Sequence, residues 1–548
     1  MAAIEAITPR RQPAPLRPVA PAPAAVQSAV NENDAVSWRI WLAVLGSSLG
    51  AFLAVLNIQI VNSSLADIQG AIGAGIDDGG WISTSYLVTE IIVIPLSAWL
   101  SRVFSLRRYL LTSTVLFLLF SVACAFAGNL GEMIVLRAFQ GFFGGVLIPL
   151  AFTIVMTMLP KSRQPVGMAL YAFSAVFAPA IGPTIGGYLN ETFGWQTVFF
   201  VNLVPGAAMV AMLYISLPRE KMQLGLLRQG DWPGIVTMAI GLGALETVLE
   251  EGNKNDWLGS PYILRLAAVA AVSLVAFIVI ELTAERPLLD LRLLTRRNFG
   301  LGTLAGFLLG IALYGASFVL PLYLSQVQGY NAMQIGEVLA WVGLPQLLII
   351  PLLPQLMARV NTKLLMAAGL ILFAISNFMN IYLTGDVSGP QMIVSNVVRA
   401  VGQALLMTPL SALAVAGIAR ESAGTASALF NMMRNLGGAV GIAVLQTVLT
   451  KREQFHSSVL TENVSMFDAA TRARLDGLTQ YFMAHGIADQ AMAWHKAVVA
   501  VGLAVRRQAT IMAYGDAFFL MGAAIVLALA AVAWLKRTAG ATAEAAGH

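Results

Sequence analysis

The chain reads as an all-α polytopic membrane protein with about fourteen transmembrane helices, arranged as two pseudo-symmetric six-helix halves with two further helices inserted between them. Three observations carry this. The composition is 58% hydrophobic and only 11% charged, against about 25% charged residues in soluble domains. Apolar runs long enough to cross a ~30 Å hydrocarbon core recur from Trp38 to the C-terminal region. Short motifs of the first six runs return, in the same order, in the last six.

Residues 1–37 are rich in alanine and proline, with Pro13, Pro15, Pro18, Pro21 and Pro23. Repeated proline blocks both a helix and a signal-peptide apolar region, so a disordered cytoplasmic tail is expected. The spans then fall at 40–63, 79–100, 108–128, 132–156, 166–188 and 197–217, giving an N-terminal half over 38–220. Spans 232–252 and 262–283 form the inserted pair within 221–290. Spans 300–325, 334–357, 363–384, 389–417, 424–450 and 512–536 form a C-terminal half over 291–540, followed by a short cytoplasmic tail, 541–548.

Charge tests this count. With the N-terminus inside, the inner loops hold Arg102, Arg107, Arg108, Lys161, Arg163, Arg219, Arg296, Arg297, Arg359 and Lys363 among others, and the short outer loops hold Lys254 and little else. A missed or invented helix would scramble that asymmetry. Both termini are therefore expected in the cytoplasm of a multi-pass inner-membrane protein. Residues 451–511 depart from the short links. This outer loop is mostly polar, with helical-looking stretches at 469–486 and 488–507. It is read either as a docking or capping element or as a surface excursion.

The internal echoes are three. Ser101-Arg-Val-Phe-Ser-Leu-Arg107 is matched by Ala358-Arg-Val-Asn-Thr-Lys-Leu364. Val135-Leu-Arg137 leading to Pro149 is matched by Val398-Arg399 leading to Pro409. The glycines at 182, 186 and 187 are matched by Leu436-Gly-Gly-Ala-Val-Gly441. In lipid, close approach by small residues is a main route to helix association, and Pro183 kinks its helix. Repeated halves around a central cavity are the architecture of alternating access.

These motifs resemble the major facilitator superfamily, and within it the fourteen-helix drug:proton antiporter branch, closest to multidrug efflux pumps of the EmrB type. Gly182-Pro183-Thr-Ile-Gly186-Gly187 looks like the antiporter motif of helix 5. Leu136-Arg137-Ala-Phe-Gln140-Gly141 looks like the helix 4 motif, whose arginine is implicated in proton coupling. Leu56-Asn57-Ile-Gln-Ile-Val61-Asn62 looks like the branch's helix 1 signature, and Asn253-Lys-Asn-Asp256-Trp257 is similar to the family after helix 7. Two positions depart. The helix 1 signature usually carries an acid where Asn57 stands. The loop 2–3 motif usually has Gly and Asp where Ser97 and Ser101 stand, although Arg102, Arg107 and Arg108 keep its basic end. The resemblance implies a bacterial inner-membrane antiporter exporting amphipathic drugs in exchange for protons. It also implies a periplasmic adaptor and an outer-membrane channel as partners.

A charge within the bilayer is by default a functional candidate. Glu90 lies near the middle of helix 2, where a carboxyl loses hydration, and a proton carrier needs a carboxyl that exchanges its proton near neutral pH. Glu90 is therefore expected to take the proton role vacated at Asn57, with Arg137 as counter-charge and Arg399 as its equivalent in the other half. Arg434 reads as structural. Glu246 reads as interfacial, close to Glu250 and Glu251, and Asp516 as the start of the last helix, where an acid suits the N-terminus. Asn57, Gln59, Asn62 and Gln140 are candidates for hydrogen bonds to substrate or between helices. Tyr86, Tyr314, Trp341, Met407 and Phe430 are candidates for an apolar pocket. The sequence holds no Gly-x4-Gly-Lys-Ser/Thr phosphate loop, no His/Cys metal spacing and no nucleophile elbow. ATP-driven pumping and enzymatic function are not expected, nor are a cofactor or nucleic acid. A metabolite facilitator or exporter without proton coupling, and a non-transporting membrane scaffold or sensor, are the alternatives.

Overall fold

The computed structural model describes residues 36–75, 78–414 and 418–534. The expected tails lie outside those residues, apart from Val36 and Ser37. Among the described residues every regular element is helical. Thirteen helices are long and apolar enough to cross a membrane, and a shorter apolar one, Thr362–Phe378, makes a fourteenth.

The N-terminal half comprises α1 (Trp38–Ser63), α2 (Trp81–Phe104), α3 (Leu106–Cys124), α4 (Leu130–Met158), α5 (Gln164–Phe193) and α6 (Thr197–Ser216). Then come α7 (Trp232–Glu251) and α8 (Pro261–Thr283), and in the C-terminal half α9 (Arg297–Gln326), α10 (Met333–Arg359), α11 (Thr362–Phe378), α12 (Gly389–Ala414) and α13 (Ala423–Glu462). A polar helix, α14 (Ala469–Ala484), precedes α15 (Gln490–Ala533). Several helix starts carry polar caps that satisfy first-turn donors. Asn129 accepts from the Glu132 N–H, Asp231 from that of Gly234, and Asn331 and Gln334 cap α10 reciprocally.

The duplication is visible in the packing. Within the first half α1 packs on α5 and α6, α2 on α4, and α3 on α4. In the second half α9 packs on α13 and α15, α10 on α12, and α11 on α12. These are the same pairs at the same positions within each half. Across the middle, α2 packs on α13 and α5 on α10, so the second helix of each half meets the fifth of the other. The inserted α7 packs on α8 and touches both halves, through α2 and α13. Trp257, just after α7, donates from its indole nitrogen to Thr447 of α13 at 2.9 Å.

The seams are built by glycine. A Cβ on Gly186 would sit 3.0 Å from the Ile60 carbonyl oxygen and 3.1 Å from its Cα. One on Gly441 would sit 2.7 Å from the Ile311 Cα. At Gly186 the Ser63 hydroxyl is closer still, and the Ile60 and Ile311 contacts are backbone that cannot yield.

Two expectations need correction. The helix placed at 424–450 continues to Glu462, and the last helix begins at Gln490 rather than 512. Asp516 is thus mid-helix, and not at an N-terminus. It accepts from Arg452 Nε at 2.5 Å and lies 2.8 Å from His456 Nε2, tying α13 to α15 where both leave the apolar region. Outside lipid the two helices have each other as partners, so their helical period outlasts their hydrophobicity.

Candidate functional site

One cavity of about 520 Å3 lies on the seam between the halves, within the range of drug-sized sites. Its wall takes Gln59 and Asn62 from α1, Leu87 and Glu90 from α2, and Pro183 from α5. The inserted α7 adds Glu246 and Glu250. The second half adds Tyr314 and Phe318 of α9 and Asn435 and Ile442 of α13. The lining belongs to the ends of these helices remote from the arginine-rich loops. Several polar groups are already engaged: Ser83 donates to Asn62 Oδ1 at 2.7 Å, and the Tyr314 hydroxyl to Asn435 Oδ1 at 3.2 Å.

Towards the arginine-rich loops the halves are pressed together. Ser427 of α13 donates to the Pro149 carbonyl of α4 at 2.8 Å. The Tyr171 hydroxyl of α5 donates to Asn431 Oδ1 of α13 at 2.5 Å, and Arg434 Nη1 reaches that same hydroxyl at 3.4 Å. Phe152 lies edge-on to Tyr171 and beside Phe430, with ring centroids 5.3 and 6.0 Å away. The structure is therefore closed at the basic end and hollow at the other.

Glu90 is buried on the cavity wall, and its Oε1 has no hydrogen-bond partner among the described residues. The two cations whose fields reach it are Arg137 and Arg434. Neither forms an ion pair with it. Arg137 spends its donors elsewhere: Nε on the Ile82 carbonyl at 3.1 Å, and Nη1 on both Asn57 Oδ1 and Gln140 Oε1 at 2.7 Å. Its guanidinium also lies 4.3 Å from the centre of the Tyr86 ring. In place of the expected direct Glu90–Arg137 pair, Arg137 sits in a cage of neutral acceptors. Arg399 has the equivalent place in the second half, on the Ala316 carbonyl at 3.3 Å and Ser317 Oγ at 3.4 Å.

Of the other candidates, Gln59, Asn62 and Tyr314 line the cavity. Asn57, Tyr86 and Gln140 form the Arg137 cage instead. Phe430 packs at the closed end, and Met407 is buried in the core. Trp341 is 42% exposed and turns away from the cavity. Among the glycines of the antiporter-like motif, Gly182 meets Gln59 and Gly186 meets Ile60, so this stretch seats α5 on α1, and Gly187 is buried. In the loop 2–3 motif, Ser105 takes a left-handed turn and Arg107 donates to the Leu217 carbonyl at 2.8 Å, whereas Arg102 and Arg108 make no hydrogen bond or ion pair across it. Sequence reasoning missed Glu246 and Glu250. It placed Glu246 at the interface, but the side chain is 3% exposed and faces the cavity. The four-residue spacing, which puts both carboxyls on one face of α7, was the available signal.

A family model described as Major Facilitator Superfamily matches residues 47–442. The chain is 32% identical to the colistin resistance protein EmrB of Acinetobacter baumannii, over 85% of this chain and 92% of that one. It is 30% identical to the multidrug export protein EmrB of Escherichia coli K12, over 91% and 96%. Among solved structures it resembles the proton:xylose symporter XylE, with a TM-score of 0.56 at 15% identity, covering 90% of this chain and 95% of that one.

Proposed function

This chain belongs to the major facilitator superfamily, and on that footing we propose that its cavity exports amphipathic small molecules in exchange for protons carried by Glu90. The chain is a multidrug efflux transporter of many membrane-spanning helices. The basic loops face the cytoplasm, as their positive charge directs, and the cavity faces the opposite side. Residues 451–511 extend α13 and α15 on that side, where a periplasmic adaptor continuous with an outer-membrane channel would meet them.

One observation supports the proton role above the rest. The carboxyl of Glu90 is buried, unpartnered and on the cavity wall between the halves, while position 57 holds an amide that cannot exchange a proton. A proton arriving through the cavity neutralises Glu90 and removes its attraction to Arg137 in α4 and Arg434 in α13. That contact set differs between a state with the halves together at the basic end and one with them apart. Differential proton affinity of the two states is what coupling requires. Arg399 stays charged in both states and holds α12 to α9.

The test is export of an amphipathic dye in everted vesicles, with and without an imposed proton gradient. Wild type accumulates dye only with the gradient. Glu90→Gln loses gradient-driven accumulation while retaining dye binding. Gradient-driven export at wild-type rates by Glu90→Gln would remove Glu90 from the mechanism.

A further inference from the structure

The inserted helix α7 places two carboxyls on the cavity wall that the proton cycle does not use. Glu246 and Glu250 lie four residues apart on one face. On the same helix Gly243 lies against side chains of α2. A Cβ there would sit 3.2 Å from the Ile92 Cδ1 and 3.6 Å from the Val88 Cγ1. Glu246 is 3% exposed, and its Oε2 has no hydrogen-bond partner among the described residues. The charged groups whose fields reach it are both acidic, Glu250 and Glu90. The cavity wall carries one cation, Lys254. That ammonium is taken by Glu251 at 3.4 Å, and Glu251 also accepts from Thr84 at 3.3 Å.

Lys254 also acts on Glu250, so Glu246 is the acid of α7 on this wall with no cation paired to it among the described residues, and a buried unpaired charge is costly unless something neutralises it. The same cavity is also lined by Tyr314 and Phe318 and by Leu87 and Ile442. Aromatic faces attract organic cations, and aliphatic side chains take an apolar body.

From these juxtapositions we infer that Glu246 and Glu250 form a cation subsite, through which the transporter binds lipophilic organic cations by their charged group. The inserted pair α7–α8 is then part of the substrate site, and not a spacer between the halves. This inference rests on the export reading, and the two can fail separately.

The test is binding to the full-length protein in lipid nanodiscs at one fixed pH. The probes are tetraphenylphosphonium, a permanent cation, and triphenylphosphine oxide, a neutral molecule of related shape. Glu246→Gln weakens tetraphenylphosphonium about tenfold and Glu246→Gln/Glu250→Gln more, while the neutral probe shifts by less than about twofold. Glu246→Asp, which keeps the charge, recovers most of the cation affinity. Unchanged cation affinity in the double variant overturns the inference. So does parallel loss of both probes, since that is lost shape and not lost charge. If wild type pumps a neutral dye yet its cation affinity ignores both glutamates, the subsite falls and the export reading stands. If wild type shows the expected charge dependence of binding but pumps nothing in vesicles, the export reading falls and the subsite stands.

Discussion

Tyr171→Phe removes one oxygen atom from the contact that closes the basic end, and its effect follows from the geometry. The hydroxyl donates to Asn431 Oδ1 at 2.5 Å and receives Arg434 Nη1 at 3.4 Å. The ring stays, keeping its edge-on packing against Phe152 at 5.3 Å. What is lost is polar: a buried amide oxygen and a buried guanidinium are left without that partner. Leaving a buried group unsatisfied costs roughly 1–3 kcal/mol. The cost falls on the state in which the halves touch at that end, because Tyr171 belongs to one half and Asn431 and Arg434 to the other. A shift of about 1–3 kcal/mol between two states changes their ratio roughly 5- to 150-fold. The assay is labelling of a cysteine placed at Ser427, which lies in the same seam against Pro149, in a background with Cys124 replaced by alanine. A membrane-impermeant thiol reagent is applied to everted vesicles, whose outer surface is the cytoplasmic face. Labelling is expected to rise at least about fivefold in Tyr171→Phe relative to Tyr171 with the same cysteine. Equal labelling in the two backgrounds, with equal protein in the membrane, refutes the reasoning and reduces this contact to ordinary packing.

Two other perturbations test the framework around the cavity. Gly186→Ala puts a methyl 3.0 Å from the Ile60 carbonyl oxygen, and such overpacking should lower stability by about 1–3 kcal/mol, read as a lower melting temperature in detergent. A melting temperature equal to wild type would mean that α1 and α5 part freely there. Arg137→Lys exchanges a planar fork for a point charge and cannot serve Ile82, Asn57 and Gln140 together. Export should fall at least about fivefold, from roughly 1–3 kcal/mol of lost pairing, with membrane expression retained, and unimpaired export would show that the positive charge alone suffices.

The number of helices was legible because lipid imposes one length on every span, and the basic loops fix which ends go together. The repeated order of motifs was equally open to reading, since Arg137 and Arg399 return in the equivalent fourth helices of the two halves. Rotation about each helix axis was not. Glu246 has the same depth in α7 whether it faces a headgroup or a cavity, and the packing of α7 against α2, α8 and α13 decides which. The four-residue spacing to Glu250 marks a shared face, but not the direction in which that face points. Asp516 failed for a different reason. Hydropathy marks where a helix enters lipid, not where it starts, so it separates the helical stretch expected at 488–507 from the last span, whereas the two are one helix.

The Arg137 cage joins these points. An acid at position 57 would form a charge-assisted bond with Arg137 in a closed box that no cavity-lining residue enters. With Asn57 in its place the box is neutral apart from its arginine, and Arg137 needs no proton to release it. The titrating group must then lie where protons can arrive. Of the buried carboxyls, Glu90 and Glu246 are the two on the cavity wall with an unpartnered oxygen. Glu90 is the one within the field of both Arg137 and Arg434, one from each half. Glu246 is within the field of carboxyls only. A proton on Glu90 therefore alters forces across the seam between the halves, whereas a cation at Glu246 alters forces within the wall. On the proposed reading, coupling then falls to α2 and substrate charge to α7.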